Sequence, residues 1–340
     1  MSRILTKELR LRGLAALGAV MRQPDAELQG LIDTAHRHNA WFTPEFTMHA
    51  VRSMGDMLNE ADLLTWAAQW DGEAGRTPKK VGLILAGNIP LVGLHDVLCV
   101  LAAGHTALIK PSSQDQKLIP VLLRKLTEAE PGLADSIQFC ERLEGFDAVI
   151  ATGSNNSSRY FEYYFSGVPH IIRRNRNSVA VLTGKETPEQ LHALGRDIFE
   201  YFGLGCRNVS KIYVPEGYDF PRLFEAIEEF SFLASHHKYF NNYEYNKSIL
   251  LVNGDRHLDN GFLLVKKDRG LASALAVLHY EEYGDLAAVQ EHLEQEAGAI
   301  QCVVSEAPGI AGLPFGAAQH PRLWDYADGV NTMDFLTALK

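Results

Sequence analysis

The sequence is short of the features that mark several protein classes. Its 340 residues hold four cysteines, Cys99, Cys140, Cys206 and Cys302, widely spaced and without a CxxC pair. That spacing suggests neither a disulfide framework nor a zinc centre, and a reducing cytoplasm fits it best. There is no HExxH, and the adjacent His236 and His237 diverge on either a helix or a strand, so no metal site is expected. Basic residues are the minority: 32 Lys and Arg stand against 42 Asp and Glu, a formal net charge of -10, and they are scattered. Without a concentrated cationic surface nucleic acid is disfavoured as a partner, while a small anionic ligand is not. Long apolar runs are also missing. The run 13–21 is far shorter than a membrane span, and 81–109 is interrupted by Asn88, Pro90, Asp96 and Gly104. Charges interleave from the first residues, so no export or anchoring segment is visible. No GxGxxG, internal repeat, low-complexity tract or flexible linker is present.

Apolar residues, 46% of the chain, are ample for two cores, and a chain of this length is expected to form two lobes. Residues up to about 75 read as helical. Asp25 is placed to cap a helix over 26–38, and Thr43 before Pro44 and Glu45 is a helix start. From Val81 the pattern changes to short apolar strands at 81–86, 107–110, 137–140 and 148–152, with helices at 91–103 and 116–130 between them. This alternation implies parallel βαβ units. After a strand at 179–182 a second unit begins: helix 188–202, strand 211–214, helix 221–230 and strand 248–251, continued by 271–278, 286–295 and 300–304. The tail from Leu313 is loop-rich with one candidate terminal strand.

Four short motifs could carry chemistry. Gly87-Asn88-Ile89-Pro90 lies between a strand and a helix, where open α/β sheets bind ligands. Asn88 there either donates its amide to a developing oxyanion or simply turns the chain. Lys110-Pro111-Ser112 ends the next strand, where Lys110 either reaches a ribose hydroxyl or phosphate or is a solvated strand end. Thr152-Gly153-Ser154 precedes a helix beginning near Ser157, and the free N–H groups of such a start attract phosphate. The contexts of Cys99, Cys140 and Cys302 are apolar, and these three read as small buried hydrophobes. Cys206 differs: Gly203 and Gly205 precede it and Arg207-Asn208 come after it, a polar turn in which a guanidinium favours thiolate. It is a candidate nucleophile, with a structural turn cysteine as the alternative. Arg173-Arg174-Asn175-Arg176 forms a basic cluster that suits either phosphates or a surface paired with carboxylates.

Taken in order, these pieces resemble the aldehyde dehydrogenase superfamily, and the stretch from about Val81 to Leu336 is most similar to its LuxC-type acyl-CoA reductase branch. Asn88 matches the family's oxyanion asparagine. Leu101-Ala102-Ala103-Gly104-His105-Thr106-Ala107-Leu108-Ile109-Lys110-Pro111-Ser112 resembles its "LAAGNTVVLKPS" passage, which makes Lys110 and Ser112 cofactor-side residues. Thr152-Gly153-Ser154 is similar to the pyrophosphate-side turn, which adds Gly153 and Ser154. Gly203-Leu204-Gly205-Cys206 resembles the nucleophile loop. Glu281-Glu282-Tyr283-Gly284 resembles the segment whose glutamate holds the nicotinamide ribose, implying that role for Glu281. Pro314-Phe315-Gly316 is similar to the late "PFGG" turn, and the stretch from Tyr326 to Leu336 is the part most like the LuxC branch.

The resemblance implies an α/β, aldehyde-dehydrogenase-like fold. Residues 1–183 would form N-terminal helices and a Rossmann-like cofactor lobe, 184–312 an α/β catalytic lobe, and 313–340 a tail returning to the cofactor lobe or to a subunit interface of a homo-oligomer. It further implies reduction of an acyl-CoA thioester to an aldehyde through a thioacyl-cysteine. Two departures refine this. Where hydrolysing dehydrogenases place a water-activating glutamate, on the strand expected over 172–178, this chain has Arg173. Where NAD enzymes of the family often carry a glutamate after Lys-Pro-Ser, it has Ser113-Gln114-Asp115, which leaves room for a 2′-phosphate and favours NADPH, with NADH the alternative. An oxidative aldehyde dehydrogenase and a non-catalytic cofactor-binding subunit are the competing readings.

Overall fold

The computed structural model describes residues 5–70, 77–153 and 155–339, and the chain divides into two compact units. One is the chain up to Asn175 together with the segment from Pro321 onward, and the other is Arg176–His320.

The first unit opens with α1 (Lys7–Arg22), α2 (Ala26–Thr34), α3 (Pro44–Met57) and α4 (Glu60–Ala67). Thr6, Asp25, Thr43 and Asn59 each accept the backbone N–H three residues on. Such caps satisfy donors that a helix start leaves open and contribute about 1 kcal/mol each. Next come β1 (Lys80–Ile84), α5 (Leu94–Ala102), β2 (Thr106–Lys110), α6 (Leu118–Ala129), β3 (Ile137–Phe139), β4 (Ala148–Thr152), α7 (Asn155–Phe165) and β5 (His170–Arg173). The five strands are parallel in the order β3-β2-β1-β4-β5. The chain works outward from β1 on one side and from β4 on the other, so the switch point where such sheets bind ligands lies between them. The tail completes this core: Leu323, Tyr326, Met333 and Leu336 are buried in it, and Trp66 Nε1 donates to Tyr326 Oη at 2.7 Å.

The second unit comprises β6 (Asn177–Val181), α8 (Pro188–Phe199), β7 (Val209–Pro215), α9 (Phe220–Ala226), α10 (His237–Asn253), β8 (His257–Asp259), β9 (Leu264–Lys267), β10 (Val277–Tyr283), α11 (Leu286–Gln295) and β11 (Ile300–Val304). Its sheet runs β11-β6-β7-β10-β9-β8, parallel apart from the β8–β9 pair. Thr187 and Gln190 form a reciprocal capping box at the start of α8, with Pro188 in its first turn.

Four expectations are corrected. Residues 248–251 are not a strand but the last turns of α10, whose buried positions Tyr239, Tyr243 and Leu250 fall at helical spacing. The apolar run misleads because Leu251 and Val252 are 62% and 86% exposed rather than core. The strand expected over 172–178 is the end of β5 and the beginning of β6, which belong to different sheets, with residues 174–176 between them. The strand expected at 179–182 accordingly belongs to the second sheet. In the tail a short helix, Thr332–Thr337, capped by Asn331, stands where a terminal strand was a candidate. Among the described residues no helix is long and apolar enough to cross a membrane.

Candidate active site

In the first unit, β1 runs into Gly87-Asn88-Ile89-Pro90, where Asn88 is exposed. Gly87 is pressed against the loop after β2: a Cβ on it would lie 2.5 Å from Ser112 Oγ, closer than real contacts allow. Glycine is therefore what lets the two loops touch. Asp115 secures the same junction, its buried carboxylate accepting from Leu91 N at 3.3 Å and Leu118 N at 3.2 Å. Burial raises its pKa against the opposing pull of these N–H bonds. Ser112 Oγ accepts from Gln114 N at 3.2 Å, and Lys110 is exposed at the end of β2. Gly153 comes directly after β4. A Cβ there would meet Phe161 at 2.8 Å and Ser157 at 2.9 Å, so α7 can start this close to the strand only over a glycine. Ser154 lies outside the described residues. The loops after β2, β1 and β4 thus bring Lys110, Ser112, Asn88 and Gly153 to the same edge of one sheet, with Gly87 and Ser112 in contact.

Arg173, at the end of β5, is 4% exposed and committed to its neighbours. Its Nε and Nη2 donate to the two oxygens of Asp96 at 2.9 and 2.6 Å, Nη2 also reaches Thr332 Oγ1 at 2.8 Å, and Nη1 donates to Ala327 O at 2.6 Å. Burial alone would lower the arginine's pKa, but the Asp96 carboxylate reverses the shift and the net change is upward. Burial would likewise raise that of Asp96, and Arg173 outweighs it downward. The basic cluster is dispersed. Arg174 pairs with Glu162, while Arg176 Nη1 donates to Ile300 O at 3.3 Å.

In the second unit, Cys206 sits half-buried in the loop that enters β7. After α8 the chain turns through Tyr201 and Phe202 at φ 52° and 59° and Gly203 at φ 76°. Left-handed backbone at a non-glycine residue costs on the order of 1–3 kcal/mol, here held in place by burial of both aromatic rings. Asn208 organises the loop beyond this turn. Its Nδ2 donates to the carbonyls of Asp197, Ile198 and Glu200 at 3.1, 3.3 and 2.8 Å, and its Oδ1 accepts from Gly205 N at 2.8 Å. Ser178 Oγ, on β6, donates to the Cys206 carbonyl at 2.9 Å. Arg207 Nε donates to Ala318 O at 2.6 Å. Asp197 accepts from Gly316 N and Ala318 N at 2.6 and 2.9 Å, which fastens the Pro314-Phe315-Gly316 turn beside the same loop. Burial raises the Asp197 pKa to about 6, and burial together with Asp197 raises that of Glu200 to about 7.

The sequence does not single out Asn208, Ser178 or Asp197 as functional; the polar setting of Cys206 is the one signal it offers. Glu281, which the resemblance assigns to the nicotinamide ribose, has a partner within its own sheet. It lies within β10 and pairs at 2.7 Å with Lys211, whose fully buried ammonium also donates to Arg269 O and stands over the Tyr213 ring. A buried cation requires such a counter-charge. Cys99 is buried, and burial pushes its thiol well up. Cys140 and Cys302 are only half-buried, and both sulfurs have polar neighbours, Ile109 O at 3.7 Å and Ser178 Oγ at 3.0 Å. They are therefore not plain apolar core. The rings of His236 and His237 stack rather than diverge, and His236 Nδ1 caps α10.

This pairing of a parallel switch-point sheet with a second sheet that carries a cysteine loop is an aldehyde dehydrogenase fold. The chain superimposes on aldehyde dehydrogenase 21 from Physcomitrella patens, solved with the product succinate, with a TM-score of 0.68 at 13% identity, covering 98% of this chain and 85% of that one. NADP-dependent glyceraldehyde-3-phosphate dehydrogenase from Bacillus halodurans, complexed with NADP, gives 0.63 at 15% identity over 90% and 75%. No curated protein matches the sequence. The acyl-CoA reductase (LuxC) family profile matches residues 59–220, just under half of the chain, so over that stretch the chain is similar to LuxC-type acyl-CoA reductases.

Proposed function

We propose that the protein reduces an acyl-CoA thioester to an aldehyde with NADPH through a thioacyl intermediate on Cys206. The observation that carries the reading is the setting of Cys206. Alone among the four thiols it occupies a loop between a strained turn and a strand, fixed by Asn208 and Ser178. The Cys206 thiolate attacks the acyl carbonyl carbon, and the carbonyl electrons move to oxygen. Collapse of that oxyanion expels the coenzyme A thiolate and leaves the acyl group on sulfur. NADPH, when bound, supplies the hydride that converts the thioacyl carbon to aldehyde and releases Cys206. Asn88 and the Cys206 backbone N–H are assigned to the oxyanion, a role that typically contributes about 3 kcal/mol per donor.

The dinucleotide is assigned to the switch point of the first sheet. Gly153 lets α7 begin close behind β4, which supports a pyrophosphate at that helix start, while Lys110 and Ser112 at the end of β2 are assigned to the adenosine ribose and its phosphate. The acid nearest the Lys-Pro-Ser passage, Asp115, is buried and spent on two backbone N–H groups, so it does not oppose a 2′-phosphate. That favours NADPH over NADH. Hydrolysis is disfavoured because Arg173 is locked to Asp96 where a water-activating carboxylate would be needed.

Intact-protein mass spectrometry after incubation with a panel of acyl-CoAs, without reductant, tests the reading. One acyl adduct on Cys206, discharged as aldehyde when NADPH is added and more slowly with NADH, is expected. Acyl found on Cys99, Cys140 or Cys302, or fatty acid released as fast as aldehyde, overturns it.

A further inference from the structure

Cys302 stands on β11, away from the nucleophile in sequence, yet a single oxygen joins the two. Ser178 Oγ lies 2.9 Å from the Cys206 carbonyl oxygen and 3.0 Å from Cys302 Sγ, and it accepts the Cys302 backbone N–H at 3.2 Å. A serine hydroxyl has one proton and two lone pairs. A carbonyl can only accept, so the Ser178 proton goes to Cys206 O. The hydroxyl oxygen is then left to accept, and the sulfur at 3.0 Å must be the donor, a protonated thiol. The hydrogen bonds run in one direction: Cys302 S–H to Ser178 Oγ, Ser178 O–H to Cys206 C=O. Bonds in such a chain polarise one another, so the first strengthens the second.

The end of that chain matters for the reaction. Asn208 holds both peptides of Gly205: its Oδ1 accepts from Gly205 N at 2.8 Å, and its backbone N–H donates at 3.1 Å to Gly205 O, in the peptide before Cys206. Ser178 holds the carbonyl after it. Together they hold the backbone of Cys206, and with it the directions of its N–H and of the Cα–Cβ bond that carries Sγ. Misplacing a reacting atom by a fraction of a bond length is costly in rate even when binding is unaffected.

We infer that Cys302 is a positioning residue that acts through Ser178 to hold the Cys206 loop in its reactive conformation. The inference rests on Cys206 being the nucleophile. Substitutions separate this from packing because the two roles rank replacements in opposite order. Serine at position 302 keeps a donor, whereas alanine keeps only the small apolar character. The rate of Cys206 acylation by acyl-CoA under single-turnover conditions is measured together with the acyl-CoA concentration at half-saturation. Cys302→Ser is expected to stay within about twofold of the parent, while Cys302→Ala and Ser178→Ala each lose about tenfold in rate with half-saturation unchanged. Should Cys302→Ala fail to fold, Cys302→Val supplies the donor-free comparison. If Cys302→Ala acylates as fast as the parent, or Cys302→Ser is slower than Cys302→Ala, the positioning role is overturned. Acylation that survives Cys206→Ala would instead overturn the nucleophile assignment, a distinguishable outcome.

Discussion

The two units place their candidate site loops at opposite ends of parallel strands. In the first, Asn88, Lys110 and Gly153 lie at or just beyond the carboxyl ends of β1, β2 and β4. In the second, Cys206 precedes β7, at the amino end. At a carboxyl end the next helix begins, so N–H donors and a crevice come with the topology and glycines suffice to open it. At an amino end the preceding helix finishes, and its exposed groups are carbonyl oxygens. At the end of α8 and in the turn after it, Asn208 supplies its amide to three of these carbonyls, those of Asp197, Ile198 and Glu200. A loop on that side has to be held by buried polar side chains, and the second unit uses Asn208, Ser178 and Asp197 for the purpose.

The largest effect that would sharpen this contrast is at the thiol. Cys206→Ala should abolish acylation and aldehyde formation while the melting temperature stays near that of the parent, read by mass spectrometry and calorimetry. Next is Arg173→Ala in the first unit. It strands Asp96 as an unpaired buried charge and should cost about 3–5 kcal/mol by chemical denaturation. Arg173→Glu would set two carboxylates against each other and should not yield a folded hydrolase. Asn208→Ala should lower stability by about 3 kcal/mol and acylation with it, because it uncovers several carbonyls at once. Asn88→Ala, in an exposed loop, should instead lower kcat by about a hundredfold with stability unchanged. If the two asparagine variants behave alike, the distinction between the strand ends collapses.

The smallest effect is on pH dependence. Glu200 and Asp197 both have folded pKa values raised above the unfolded ones, so the folded state binds their protons more tightly. The stability they contribute is present below about pH 4 and is lost as pH rises through about 6 for Asp197 and about 7 for Glu200. Glu200→Gln should therefore flatten the stability profile between about pH 5 and 7 and gain on the order of 2 kcal/mol at about pH 8. A profile as steep as the parent's would show that Glu200 is not the group concerned.

Much of the molecule is legible in its sequence where it rests on local rules. The caps Asp25 and Thr43, the glycine turns and the alternation of short apolar strands with helices all arise from backbone chemistry that acts over a few residues. The order of motifs points to the fold, while the apolar contexts of Cys140 and Cys302 do not disclose the polar neighbours of their sulfurs. The features that escape depend on contacts distant in sequence. Arg173 is explained by Asp96 and Thr332, and Glu281 by Lys211, pairings no spacing rule discloses. The run 248–251 misleads for a different reason: four apolar-leaning residues fit a strand and a helix equally, and here most of them face solvent.

The closing of the first core by Tyr326, Thr332 and Met333 also fixes an order of assembly. A ribosome delivers Trp66 and Arg173 long before the residues that bury and bind them, and the whole of 176–320 emerges in between. The second unit, contiguous in sequence, can fold as it appears. The first must keep its apolar surfaces open until 176–320 has been synthesised, so chaperone dependence should fall on the first unit and not on the one that contains Cys206.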